Sequence, residues 1–193
     1  MVRKNADPEA MPVRERILRE VISLIALHGA DRVTHRLLAK SLAMSPGTLT
    51  YHFKSREALV QGAFQLYMAD YESGLRGALS SRPLTSLEEI ARFLATMTSL
   101  GPEQAGLAAF EYEMIANAQR DPGLKTAVTK WSAQLPNAIG SALEALGQPD
   151  AGRTANLLTA ICRGAEVDVL TRGVRIDETS FRERLLKVLR AGL

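Results

Sequence analysis

The run Val33-Thr34-His35-Arg36-Leu37-Leu38-Ala39-Lys40-Ser41-Leu42-Ala43-Met44-Ser45-Pro46-Gly47-Thr48-Leu49-Thr50-Tyr51-His52-Phe53 decides the fold. Thr34 is a predicted N-cap for a short helix over residues 35–42. Ser45 caps a second, which opens with Pro46 at its first position, where the missing N–H costs nothing, and ends near Phe53. Helices shorter than about 12 residues are marginal alone in water, so these two must pack on each other and on a helix before them. Leu38 and Leu42 share one face of the first, Met44 plugs the turn, and Ala39 is small where the helices cross. Leu49 and Phe53, four apart, make the inner face of the second. Pro46, Gly47, Thr48, Thr50, Tyr51 and His52 are then left to cover the outside.

An outer face that is small and polar near the helix N-terminus suits entry into a DNA major groove. Thr48 offers a hydroxyl and a methyl to base edges, and Gly47 lets the backbone approach closely. Tyr51 and His52 can donate to phosphates, and Lys54 follows where a backbone phosphate would pass. Thr34, with the free N–H groups of its helix, can grip a further phosphate, and His35 is expected at the surface beside it. Ser45 and Pro46 complete the predicted DNA-contacting set. The bland alternative is a helical hairpin with a polar exterior.

Working outward, residues 12–28 carry Ile17, Val21, Leu24, Ile25 and His28 at three- and four-residue steps, which predicts the helix beneath the pair, stopped by an αL Gly29. Residues 1–11 are polar, contain Pro8 and read as a flexible arm. Downstream, Ser55 caps a long helix over 56–79, and further helices are predicted over 85–100, 102–120, 124–146, 151–171 and 179–190. Pro136 should kink or break the 124–146 segment. The expectation is an all-α chain of about nine helices: an arm over 1–11, a three-helix helix-turn-helix domain over 12–55, and a helical ligand-binding and dimerisation domain over 56–193.

Residues 33–59 resemble the signature of the tetracycline-repressor (TetR) family. They supply Thr34, Leu38-Ala39, Ser45, Gly47-Thr48-Leu49, His52-Phe53, Lys54-Ser55-Arg56-Glu57 and Leu59. The chain departs from the family pattern at Ala43, where a turn glycine is usual, and at Thr50, where a phosphate-contacting tyrosine is usual; Tyr51 comes one residue later. The resemblance implies a homodimeric repressor that sets two recognition helices in successive major grooves of a near-palindromic double-stranded operator, and that a small-molecule effector releases. It also implies that the last two helices form the dimer interface, through Leu157, Leu158, Ile161, Ala165 and Val169 on one and Phe181, Leu185, Leu186 and Leu189 on the other; the alternative is that these stripes pack inside one chain.

Phe93, Met97, Phe110, Met114, Trp131 and Leu135 are candidates to line an effector pocket between helices, although Met and aromatic stripes at this spacing also serve as plain core. Glu111, Glu113, Glu166 and Asp168 stand in otherwise apolar helices and either face solvent, pair with Arg163 or Arg172, or meet a ligand.

Composition supports a basic head on a neutral body. Residues 1–62 carry ten Lys/Arg against six Asp/Glu, and the rest of the chain fourteen against fifteen. A single cysteine, Cys162, excludes an internal disulfide, and three histidines without ligand spacing predict no metal and no cofactor. No apolar run spans a membrane and no secretory signal is evident, so a cytoplasmic protein is expected. No nucleophile–base pair or phosphate loop argues for an enzyme. A helical small-molecule enzyme and a protein-binding adaptor are the competing classes.

Overall fold

Pro12 stands just outside the first helix, its carbonyl accepting from the Arg16 N–H at 3.0 Å, and α1 runs Val13–His28. The computed structural model describes residues 11–99 and 102–191, with the backbone alone for 102–105. Gly29 ends α1 at φ 80° and ψ 156°, a positive-φ stop outside the αL region and one that glycine alone adopts without strain. It turns the chain into one 3-10 turn, Ala30–Arg32. There follow α2 (His35–Leu42), α3 (Pro46–His52), α4 (Arg56–Ser81), α5 (Leu87–Thr98), α6 (Pro102–Ala118), α7 (Pro122–Ser132), α8 (Gln134–Ala145), α9 (Ala151–Arg172) and α10 (Glu178–Ala191). The described residues contain no strand.

There are thus ten α-helices among the described residues, one more than the sequence pattern suggests. The extra one comes from Pro136, whose ring would clash with the carbonyl four residues back, that of Ser132. Helix α7 ends at Ser132, and Pro136 is absorbed into the first turn of α8, where its missing N–H is not needed.

The chain divides into two compact units: residues up to Gly74 with Gly106–Val128, and Leu75–Ala105 with Thr129 onward. Packing therefore does not divide at residue 55. The first two-thirds of α4 and parts of α6 and α7 belong with the head.

In the first unit α1 is buried along Ile17, Val21 and Ile25, and α2 and α3 contribute Leu38 and Leu49. Helix α4 lies close against α1: a Cβ at Gly62 would fall 2.8 Å from Leu18 Cδ2 and 3.3 Å from Phe53. Arg19 bridges Glu15 at 2.7 Å and Asp70 at 2.9 Å, tying the same two helices at their rim. Phe64, Tyr67 and Phe110 form an aromatic cluster with centroids 5.2 and 4.9 Å from Phe110.

The second unit is a bundle of α5, α8, α9 and α10 around Ile90, Leu94, Ile139, Leu143, Leu158 and Leu185. Thr96 meets Glu178 at 2.8 Å and Arg190 meets Glu88 at 2.7 Å, so α10 runs antiparallel to α5. Cys162 sits in this core, and burial pushes its thiol up to about 11, far from a reactive thiolate at neutral pH.

Candidate nucleic-acid interface

Three hydrogen bonds start the helices of the head. Thr34 Oγ1 accepts from the Leu37 N–H at 3.1 Å, Ser45 Oγ from Thr48 at 3.1 Å, and Ser55 Oγ from Ala58 at 3.1 Å. Between α2 and α3, Ala43 adopts φ 50° and ψ 37°, the left-handed conformation in which a glycine would carry no strain. The Met44 N–H then reaches back to the Ala39 carbonyl at 3.0 Å and closes the end of α2.

Burial of Leu49 and Phe53 orients α3 as its spacing requires; they are 0% and 2% exposed. The Arg14 guanidinium carbon lies 4.6 Å from the centre of the Phe53 ring and covers its far side. Tyr51, 83% exposed, stands clear of the protein, with its ring edge-on to His52 at 5.2 Å. Pro46, Gly47 and Thr50 are exposed, and Thr48 and His52 half-exposed. A Cβ on Gly47 would meet only Ser45 Oγ, at 3.7 Å, so nothing in the fold requires a bare backbone there. Two hydroxyls of this face are already engaged: Thr48 Oγ1 lies 2.9 Å from Ser45 Oγ, and Thr50 donates to the Pro46 carbonyl at 3.0 Å. Thr50 thus spends its proton on its own helix, and Tyr51 is the phenol that projects. Lys54 is exposed just past the helix.

His35 departs from its expected surface role. Its ring is half-buried, with Nε2 2.9 Å from the Phe53 carbonyl, to which it donates, joining the start of α2 to the end of α3. The exposed cations of α2 are instead Arg36 and Lys40. With Leu27, His28, Arg32, Thr34 and Leu37 they line one open groove. The sequence held their signal: four apart, opposite Leu38, they share the outer face of a helix that crosses the nucleic-acid backbone in a helix-turn-helix.

The six effector-pocket candidates divide between the units. Phe110 and Met114 are fully buried in the first, Phe110 against Phe64 and Tyr67. Trp131 is buried in the second, where Phe93 and Leu135 pack partly on the core and Met97 is half-buried. The carboxylates are mostly engaged: Glu111 accepts from the Tyr67 hydroxyl, Glu113 from the Ala30 N–H at 2.9 Å, and Asp168 pairs with Arg172 at 3.4 Å.

The expected dimer-interface set needs correcting. Leu158, Phe181, Leu185 and Leu189 are 0–5% exposed inside the second unit's own core, because α5 covers the apolar stripe of α10. Ile161, Ala165 and Leu186 pack partly on the same core, Val169 is half-exposed, and Leu157 faces outward. The open face of α9 reads Arg153, Asn156, Leu157, Ala160, Arg163, Gly164 and Val167.

Two family models match the chain. "Bacterial regulatory proteins, tetR family" covers residues 17–63, and "Tetracyclin repressor-like, C-terminal domain" covers residues 74–191. The chain belongs to the tetracycline-repressor family. The TetR C-terminal match begins at residue 74, where the two compact units part on α4. The transcriptional regulator UidR of Escherichia coli K12 is 32% identical over 118 residues, 61% of this chain and 58% of that relative. A transcriptional regulator of Rhodococcus sp. Rha1 superposes with a TM-score of 0.77 at 18% identity, over 94% of this chain and 96% of its own. A regulator of Saccharomonospora viridis in complex with choline has a TM-score of 0.75 at 20% identity, over 92% and 95%. The likeness to these two is one of fold, and it extends over more than nine-tenths of this chain. No helix among the described residues is long and apolar enough to cross a membrane.

Proposed function

We propose that this TetR-family regulator is a homodimeric repressor that reads a near-palindromic operator through α3 and is released by a small molecule held in its C-terminal half. The observation that carries the reading is the presentation of α3. It is capped, anchored by Leu49 and Phe53, and free of other chain over Gly47, Thr48, Tyr51 and Lys54. Thr48 and Gly47 stand where base edges would be met, Tyr51, Lys54, Arg36 and Lys40 where phosphates would pass. A helix of seven residues reads only a few base pairs, so a second copy about 34 Å away is needed for a useful site. The outer face of α9 suits that pairing: Leu157, Ala160, Gly164 and Val167 leave a small, apolar strip, and a Cβ at Gly164 would touch nothing in its own chain.

The choline bound by the S. viridis regulator belongs to that protein. It supports only the general expectation that this chain also takes a small molecule. Release then requires a ligand that binds better to a state whose heads no longer fit the operator.

A mobility shift with the DNA upstream of the chain's own gene tests the reading, run beside sedimentation of the free protein. The expected result is a shift lost at high salt, from a protein of twice the chain mass. Gly164→Arg should yield monomers that no longer give the specific shift. A protein that binds no duplex at low salt, or binds as a monomer, overturns it.

A further inference from the structure

One residue, Ala30, holds both ends of the α2–α3 pair through its two backbone groups. The Ala30 N–H, at the entrance, donates to Glu113 Oε1 at 2.9 Å. The Ala30 carbonyl accepts from Arg56 Nη2 at 2.8 Å, and the same nitrogen meets Asp31 Oδ1 at 2.8 Å. Arg56 opens α4, immediately past the exit of the pair, so its bond closes residues 30–56 into a loop around α2 and α3. Glu113 comes from α6, 83 residues away in sequence. Asn117, one turn on, steadies it by donating to the Glu113 carbonyl at 2.8 Å and to its carboxylate at 3.5 Å. Ala30 is 1% exposed, so water does not readily replace either bond.

We propose that Glu113 is a positioning residue for DNA binding: its carboxylate fixes the corner from which α2 and α3 are presented, and makes that presentation depend on α6. The proposal rests on the DNA-binding reading of α3. Glu113 is half-buried, and its bonds run to Ala30 and Asn117, neither of which is assigned to the duplex, so its effect on affinity passes through Ala30.

The test uses the full chain with Glu113→Ala and Glu113→Gln. Two quantities are read: amide exchange at Ala30, and binding to a labelled duplex from upstream of the chain's own gene. Glu113→Ala should lose protection at Ala30 while the amides of Leu94 and Leu143 keep theirs. It should also bind the duplex roughly ten-fold more weakly with an unchanged salt dependence. Glu113→Gln keeps an acceptor oxygen and should bind within about three-fold of the parent. Wild-type exchange at Ala30 in Glu113→Ala, or lost protection with unaltered duplex affinity, overturns the proposal. So does a Glu113→Gln protein as weak as Glu113→Ala. A parent chain that binds no duplex instead sinks the DNA-binding reading itself, while the exchange result still reports whether Glu113 holds the corner.

Discussion

Helices α3 and α10 are both short and amphipathic, yet they spend their two faces differently. Helix α10 turns Phe181, Leu185 and Leu189 into the bundle, and its outside is solvated charge: Arg182, Glu183, Arg184, Lys187 and Arg190. Helix α3 turns in only Leu49 and, at its end, Phe53, and its outside is small or aromatic, with no full charge from Pro46 to Tyr51. A charged exterior keeps a helix in water. An exterior of Gly47, Thr48 and Tyr51 does little for solubility and leaves the Tyr51 hydroxyl and bare backbone for another surface. An apolar stripe shows that a helix has a buried side without showing which body buries it; the opposite face says more about a partner.

The sharpest way to break this contrast is to cut one residue from each side of it. Leu185→Ala empties a site that is 0% exposed and should cost about 2–5 kcal/mol of stability, measured by urea unfolding. A cost below about 1 kcal/mol would mean that α10 is held by something other than its own chain's core. Tyr51→Ala and Thr48→Ala should leave unfolding within about 0.5 kcal/mol of the parent, as surface changes do. They should weaken specific duplex binding by roughly 1–3 kcal/mol, read by fluorescence anisotropy. If Thr48→Ala weakened specific and non-specific binding equally, Thr48 would be holding the backbone and not reading bases.

What the sequence disclosed divides along the same line. The head was legible down to individual caps, because Thr34, Ser45, Pro46 and the Leu49–Phe53 spacing act locally: each satisfies or orients groups within one turn. The stripe of α10 is just as visible, but its partner α5 lies some eighty residues earlier and no local signal links them. The family resemblance offers Phe181, Leu185 and Leu189 to a second chain, and only the fold shows that α5 takes them. The bond of His35 is hidden for a related reason: its partner is the carbonyl of Phe53, which carries no sequence signal at all. The same holds for Glu113 and the Ala30 N–H. Backbone groups are identical at every residue, so a side chain that serves one is invisible until the fold brings them together.

The cations around α3 sharpen the picture further. Lys54→Gln removes an exposed charge that makes no ion pair among the described residues, so stability should not move. The slope of log affinity against log salt should fall by about one unit. Arg36→Gln should do the same if α2 crosses a phosphate backbone, and equal slopes for parent and variant would remove that cation from the interface. The two substitutions lie on either side of the recognition face, so their effects on the slope should add.

The smallest expected effect compares two helix ends. Helix α9 stops at Gly173 with φ 64° and ψ 18°, and α2 stops at Ala43 with φ 50° and ψ 37°. Both are left-handed, but only one is glycine. A non-glycine residue pays roughly 1–2 kcal/mol there. Replacing Ala43 by glycine recovers most of that and loses about 0.5–1 kcal/mol to the freer unfolded chain, so the net gain should be about 0.5–1 kcal/mol. Gly173→Ala reverses the sign, since it introduces the same clash into a conformation that a Cβ otherwise fits, with nothing within 4 Å. In a chain of this length each kcal/mol moves the melting midpoint by about 2–4 °C, so the pair should separate in opposite directions by thermal denaturation. If Ala43→Gly lowered the midpoint, the turn would not be strained in solution, and the alanine between α2 and α3 would be holding the two helices at their angle by contact instead of tolerating a cost.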